Sequence, residues 1–236
     1  MSAVAATPAS DLLDDPLALS KALIQRASVT PKDADCQRLL ADLLQPLGFE
    51  IHWLYAGEVS NFWACRRGSG TAEQAPHLMF LGHTDVVPPG DLAAWSHDPF
   101  DPIERDGFLY GRGAADMKAA VASMVVAMAR FVRANPNYSG AVSLLLTSDE
   151  EGPADHGVRM VAPWLEQQGL LPDYCLVGEP SCHTQLGDTI RIGRRGSIHG
   201  SWHWRGVQGH TAYIDPTDNP LHKALRGMAA ITETVF

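Results

Sequence analysis

A histidine and an aspartate two residues apart, His83 and Asp85, directly follow the short apolar run 78–81. Further acidic residues stand at comparable places: Asp116 in GRGAADMK ahead of a long apolar stretch, Glu150 and Glu151 after the run 142–146, and Glu179 after the run 174–177. Uninterrupted apolar runs of this length read as buried strands, and ligands of open α/β sheets bind beyond the carboxyl ends of the strands. Taken alone, His-x-Asp also suits a turn whose polar groups cap backbone, and Glu-Glu also suits a solvated acidic turn. The repetition decides between these readings. Several carboxylates gathered at one end of a sheet would repel one another without cations, whereas imidazole and carboxylate together suit zinc or a similar divalent ion. An Asp beside such a His can accept its second ring N–H and fix the tautomer. Adjacent glutamates inside a strand would face opposite ways, but Gly152 and Pro153 bend the chain so that both can reach one pocket. These are the ingredients of two-metal hydrolysis: a bridging carboxylate, terminal His and Glu ligands, and a glutamate left over as base.

Other chemistries fit less well. Gly111-Arg-Gly113 resembles the opening of a dinucleotide fingerprint, but Asp116 stands where Gly or Ala is needed and would repel a pyrophosphate. His97, in a Pro- and Asp-rich loop beside Trp95, is expected to be solvated. Cys36, Cys65, Cys175 and Cys182 form no C-x-x-C pair and read as free thiols rather than a zinc-thiolate site. With 18 Lys+Arg against 27 Asp+Glu, a net charge of −9 and no basic tract, nucleic acid is not an expected partner. The N-terminus lacks the basic and apolar regions of a secretory signal, and the apolar stretch 119–132 is shorter than the roughly 20 residues a bilayer needs. A cytoplasmic protein without membrane contact is expected.

The elements that must position these residues follow from patterning. Asp15-Pro16 marks a helix start. Residues 34–47 read as a helix with Leu39, Leu40, Leu43 and Leu44 inward and Gly48 closing it. Residues 50–55 and 61–65 read as a strand pair turning at Gly57. A helix over 158–168 precedes the strand at 174–177. Residues 188–194 and 198–205 read as two further strands, with His199 and His203 on one sheet face. Residues 220–236 begin an amphipathic helix with Leu221, Leu225, Met228 and Ile231 inward.

GHTDVVPPGD, the W-x-x-D-P-F loop, YGRGAADMK, TSDEEGPA, VGEPS, IRIGRRGSIHG and GVQGHTAY occur in the order found in the M20 dinuclear-zinc peptidases and deacylases. The sequence resembles that family over most of the chain from residue 78 onward. The resemblance implies an α/β fold. A catalytic domain with a central mixed sheet flanked by helices would occupy residues 1–194, and an inserted α/β lid, the dimerisation domain, would begin at 195–236. It implies two Zn2+, with Co2+ as a possible substitute. His83 and Glu179 would bind one ion, Asp116 would bridge, and Glu151 would bind the other. Asp85 would orient His83, and Glu150 would be the general base. Arg194 would meet a substrate carboxylate, and His210 would reach into the partner's site of a homodimer to stabilise the oxyanion. Without the resemblance, His210 could equally be a packing residue. A cis peptide at Asp116–Met117 is implied as well.

SDEEGPA and RRGSI look most like the branch of the family that removes succinate from the small molecule N-succinyl-LL-2,6-diaminopimelate, and that resemblance implies a role in lysine biosynthesis. The alternatives are another M20 deacylase, such as acetylornithine deacetylase, or an inactive homologue that only binds or dimerises. Ala119 replaces the usual Gly and GHTAYID the commoner GHVAYP, both mild departures. The larger one is the absence, after Phe236, of the segment that completes the lid and supplies the second metal's last histidine. By that reading the chain is C-terminally truncated. It would leave the second metal two protein ligands, a sheet edge unpaired and activity low.

Overall fold

A computed structural model describes residues 9–70, 75–193, 196, 200–210, 212 and 219–233. The chain divides into two compact units, Met1–Asp188 and Thr189–Phe236.

In the first unit a short helix α1 (Ala9–Leu12) leads to α2 (Pro16–Ile24). Asp15 caps α2 by accepting the Leu17 N–H at 2.8 Å, and Pro16 occupies the first turn, where no N–H is needed. Helix α3 (Cys36–Leu44) is shorter than the sequence pattern implies. Pro46 cannot donate to the preceding turn, so 45–47 tightens into a 3-10 turn closed by Gly48 at φ +85°. Strands β1 (Glu50–Ala56) and β2 (Val59–Arg67) form a hairpin whose two-residue loop starts at Gly57, φ +60°. After β3 (His77–His83) come the small hairpin β4 (Ile103–Arg105) and β5 (Phe108–Tyr110), then α4 (Ala119–Ala134), β6 (Ala141–Thr147), α5 (Val158–Gln167) and β7 (Tyr174–Val177).

The five-stranded sheet has the order β1-β2-β6-β3-β7. Strands β1, β2 and β6 pair antiparallel, while β6, β3 and β7 run parallel. Period-two alternation divides the core between the two faces. Phe62, Ala64, Leu144 and Leu146 join a cluster with α2, α3 and α4, and Trp63, Cys65, Met79 and Leu145 join one with α5. Every residue of β6 is buried, as a central strand covered on both faces requires. On α4, Val121, Val125, Met128 and Val132 face the core, while Ser123 and Arg130 point outward. The chain is thus mixed α/β, with a central mixed sheet flanked by helices. Strand β7 lies at the sheet edge, and all four of its residues are exposed.

In the second unit, α6 (Pro220–Thr232) is capped by Asn219, which accepts the Leu221 N–H at 2.9 Å. Gly227 lets the Trp204 indole lie on α6, since a Cβ there would come within 2.2 Å of the ring. Two expectations need correction. Residues 188–193 and 200–205 form no strand, because a strand needs a backbone partner and none pairs with them among the described residues; residues 198 and 199 lie outside those described. The apolar stripe of α6 does not point inward either, as Leu221, Leu225 and Met228 are exposed. Among the described residues, no helix is long and apolar enough to cross a membrane.

Candidate metal centre

Strand register explains why residues far apart in sequence meet. In the parallel trio, His83 pairs with Thr147 and Leu81 with Val177. Each chain therefore leaves the sheet at the same rim, His83 at the rim itself, Glu179 two residues past Val177, and Glu150 and Glu151 just past Thr147. The fourth contributor, Asp116, arrives from the turn ahead of α4, and the Asp116–Met117 peptide is cis as implied.

The Met117 side chain, fully buried, holds that turn against the sheet. A Cβ at Gly82 would lie 2.6 Å from Met117 Cε, and one at Gly178 would lie 2.9 Å from it. Met117 thus fills the space two glycines leave on neighbouring strands, and each glycine directly precedes a candidate ligand, His83 or Glu179. Lys118, also buried, runs the other way, its Nζ donating to the carbonyls of Leu23 (2.8 Å) and Arg26 (2.7 Å) at the end of α2. A cation there also complements the helix dipole. The motif-led reading missed Met117, Lys118, Gly82 and Gly178. Glycines placed immediately before ligands were the available signal.

His83 is 1% exposed and lies at the centre. Its Nε2 is 3.0 Å from Asp116 Oδ1, 3.6 Å from Glu179 Oε1 and 4.0 Å from Glu150 Oε2. Two atoms bound to one tetrahedral zinc at 2.0–2.1 Å lie about 3.3 Å apart, close to the 3.0 and 3.6 Å that separate His83 Nε2 from the Asp116 and Glu179 oxygens. Ligand atoms of His83, Asp116 and Glu179 all lie within 4.8 Å of one another, and so do those of His83, Glu150 and Glu151. Among the described residues, no such group joins Asp116 and Glu151 to a third ligand. Both nonetheless line one cavity of about 290 Å3 together with Arg112.

Asp85 behaves differently from a simple orienter. His83 Nδ1 lies 2.8 Å from the Asp85 carbonyl oxygen, with the carboxylate at 3.5 Å. The carboxylate instead accepts the N–H groups of Glu150 (3.2 Å) and Glu151 (3.0 Å). Burial opposes its charged form, yet hydrogen bonds from His83 and the Glu151 N–H hold its pKa below the ordinary value.

The electrostatics are those of crowded anions around one imidazole. Burial pulls His83 down, but hydrogen bonds and charge from Asp85, joined by the Glu179 charge, carry it up to about 9. Burial and then the Asp116 charge push Glu151 up, with Glu150 and Asp85 adding to it. A divalent cation would relieve this repulsion directly.

Of the remaining candidates, Arg194 lies outside the described residues. His210 is exposed in the second unit, its Nδ1 accepting the Ala212 N–H at 3.1 Å. His97 is half-buried: it packs edge-on against Trp95 with ring centroids 6.0 Å apart, its Nε2 is shielded from water, and its Nδ1 lies 3.2 Å from Ser96 Oγ on the exposed side. The four cysteines are free.

The model of peptidase family M20/M25/M40 matches residues 79–234. The chain belongs to this family. Among M20/M25/M40 relatives it is 48% identical over 222 residues to the succinyl-diaminopimelate desuccinylase of Coxiella burnetii (strain Dugway 5J108-111), a match covering 94% of this chain and 58% of that protein. It is 53% identical over 219 residues to the succinyl-diaminopimelate desuccinylase of Xanthomonas euvesicatoria pv. vesicatoria (strain 85-10), covering 93% and 57%. The chain therefore spans less than two thirds of the length of these relatives. In structure it is similar to human carnosine dipeptidase 1, with a TM-score of 0.59 and 21% identity over 74% of this chain and 40% of that one, a likeness of fold.

Proposed function

We propose that this chain supplies the metal-holding part of an amide hydrolase that releases succinate from N-succinyl-LL-2,6-diaminopimelate, giving LL-2,6-diaminopimelate for lysine biosynthesis. The observation that carries the proposal is the convergence of His83, Asp116 and Glu179 at spacings suited to one divalent ion. The desuccinylase names of relatives 48% and 53% identical support the substrate.

In this reading two Zn2+ are held, with Co2+ able to substitute. His83 and Glu179 would hold one, Glu151 would hold the other, and Asp116 would serve both. Bound zinc lowers the pKa of water towards about 7 and polarises the amide carbonyl. Glu150, its side chain 45% exposed towards solvent, takes the proton of the attacking water and delivers it to the leaving amine, a role typically contributing about 10²- to 10⁴-fold. The Asp85 carboxylate holds the Glu150–Glu151 backbone while that proton moves. Arg194 pairs with a substrate carboxylate through its guanidinium fork, and His210 of the second copy in a homodimer stabilises the developing oxyanion. Residues 1–194 are assigned to the catalytic domain and 195–236 to the start of the lid, in a cytoplasmic enzyme.

The test is to titrate the purified chain with Zn2+, and to follow amine release from N-succinyl-LL-2,6-diaminopimelate and from N-acetylornithine with and without chelator. Stoichiometric zinc binding lost in His83→Ala, with chelator-sensitive preference for the succinyl substrate, is expected. Absence of zinc binding, or a preference for the acetyl substrate, overturns the proposal.

A further inference from the structure

Behind the ligand rim lies a buried polar cluster that the reaction itself does not use. At its centre is Gln37, on the first turn of α3, with no exposed surface. Its Nε2 donates to the Ser60 carbonyl at 2.9 Å and to Thr84 Oγ1 at 3.2 Å, and its Oε1 accepts from Ser60 Oγ at 2.6 Å. Every amide hydrogen and the amide oxygen are therefore engaged. The orientation is fixed, since a flipped amide would set two acceptors, Oε1 and the Ser60 carbonyl, against each other.

Both arms of this amide end beside the metal ligands. Thr84 sits between His83 and Asp85, and all its polar groups are held. Its N–H donates to the Thr147 carbonyl (2.8 Å), its Oγ1 to Asp33 Oδ1 (2.6 Å), and its carbonyl accepts from Ser28 Oγ (2.6 Å). On the other arm, Ser60 N–H donates to Ser148 Oγ (2.9 Å), and Ser148 N–H donates back to the Ser60 carbonyl (3.0 Å). Ser148 is two residues before Glu150. One side chain on α3 is therefore joined to the strand end carrying His83 and to the strand end leading to Glu150 and Glu151.

We infer that Gln37 is a positioning residue for the metal centre, setting the separation of His83 from the Glu150–Glu151 turn through Thr84 and Ser60. The inference rests on the proposed metal site. Partners bonded directly to metal ligands typically account for about 10- to 100-fold in metal affinity; Gln37 acts one bond further back, through Thr84 and Ser60, so the low end of that range is expected, and any such loss distinguishes this role from merely filling buried hydrogen bonds.

The experiment compares the wild-type chain with Gln37→Met, which keeps bulk and removes the amide, and with Leu40→Ala. Leu40 is a fully buried residue one turn along the same helix that faces the apolar core. Zinc affinity is measured by calorimetry, the Co2+ absorption spectrum is recorded and thermal unfolding is followed. Gln37→Met is expected to weaken zinc binding by roughly 10-fold, the low end for groups behind a metal site, and to alter the cobalt bands. Leu40→Ala should lower the melting temperature with zinc affinity within about threefold of wild type. If Gln37→Met does not fold, Thr84→Val replaces it, with the same loss expected and recovery in Thr84→Ser. Equal effects of Gln37→Met and Leu40→Ala on affinity, or a wild-type spectrum in Gln37→Met or Thr84→Val, overturn the inference while leaving the metal site standing. A wild-type chain that binds no zinc removes both.

Discussion

The N–H of Glu151 donates to the carboxylate of Asp85 at 3.0 Å, so the aspartate next to the β3 rim physically carries the turn that follows β6. A sequence motif assigns Asp85 to His83 alone. In the folded chain its carboxylate grips both Glu150 and Glu151, and its carbonyl receives the imidazole.

Asp85→Asn should therefore disturb two ligand groups at once. Both N–H groups reach the same oxygen, Oδ2, so an amide would hold them only as a neutral acceptor and would set its NH2 against the Glu150 N–H that also approaches Oδ1 at 3.3 Å. Zinc affinity is expected to fall about 10- to 100-fold, and stability by roughly 1–3 kcal/mol. Calorimetric zinc titration and urea unfolding measure both; unchanged values would contradict the assigned role. Because the folded-state pKa of Asp85 is depressed, its contribution is present at neutral pH and disappears as pH falls through that depressed value. The two proteins should then converge in stability in acid.

His83 belongs to both ligand groups, whereas Glu179 belongs to one. At free zinc about 100 times Kd, the wild type should gain about 2.7 kcal/mol of stability. His83→Ala should gain none and Glu179→Gln part of it. Thermal unfolding with zinc and then with excess chelator checks this, and full zinc stabilisation of His83→Ala would rule out His83 as a ligand.

Gly82→Ala places a methyl 2.6 Å from Met117 Cε. Overpacking of this kind costs about 1–3 kcal/mol. Since the clash is with a flexible side chain, Met117→Ala should relieve part of it. A double-mutant cycle in urea should give a coupling of at least 0.5 kcal/mol, the lower end for residues in contact. Additivity would mean that the methionine is not what the glycine accommodates.

Lys118→Met would remove the ammonium from the Leu23 and Arg26 carbonyls, bonded to it at 2.8 and 2.7 Å, and leave them to backbone donors such as the Arg26 N–H (3.1 Å) and the Ser28 N–H (2.7 Å). A loss of roughly 2–3 kcal/mol is expected, read from the urea midpoint. A neutral effect would show that water replaces the ammonium.

Burial pushes the Cys65 thiol up to about 11 from an ordinary 9.0. At pH 8 that leaves it about 100-fold less thiolate than a free thiol, the reactive form. Cys182, which is exposed, should react with a disulfide reagent first. Cys175, exposed but with its thiol raised by partial burial, should follow, and Cys36 and Cys65 should react only on unfolding. Because the folded state holds the Cys65 proton longer, stability should fall by about 2–3 kcal/mol as pH rises from 9 to 11. Cys65→Ala should flatten that slope, and early labelling of Cys65 in the native chain would refute its burial.

The sheet, its helices and the meeting of His83 with the acidic strand ends were legible because apolar runs, capping residues and acidic strand ends are local signals. Asp15-Pro16 marks α2 and the continuous run of β6 marks a central strand for this reason. The bonds of Gln37, Lys118 and Met117 were not legible. Each joins positions distant in the chain, and no spacing rule announces which carbonyl a buried ammonium will meet. The strands expected at 188–194 and 198–205 do not form among the described residues for a related reason: alternation describes a face but supplies no neighbour to pair with.

Glu179 hangs from β7, a four-residue strand that among the described residues pairs on one side only, whereas His83 is anchored in the interior of the sheet. An ion shared by the two would act as a rivet between a firm beam and a loose slat. Zinc should therefore slow amide hydrogen exchange at 174–179 far more than at 77–83, making the capture of metal also the event that fastens this margin of the protein.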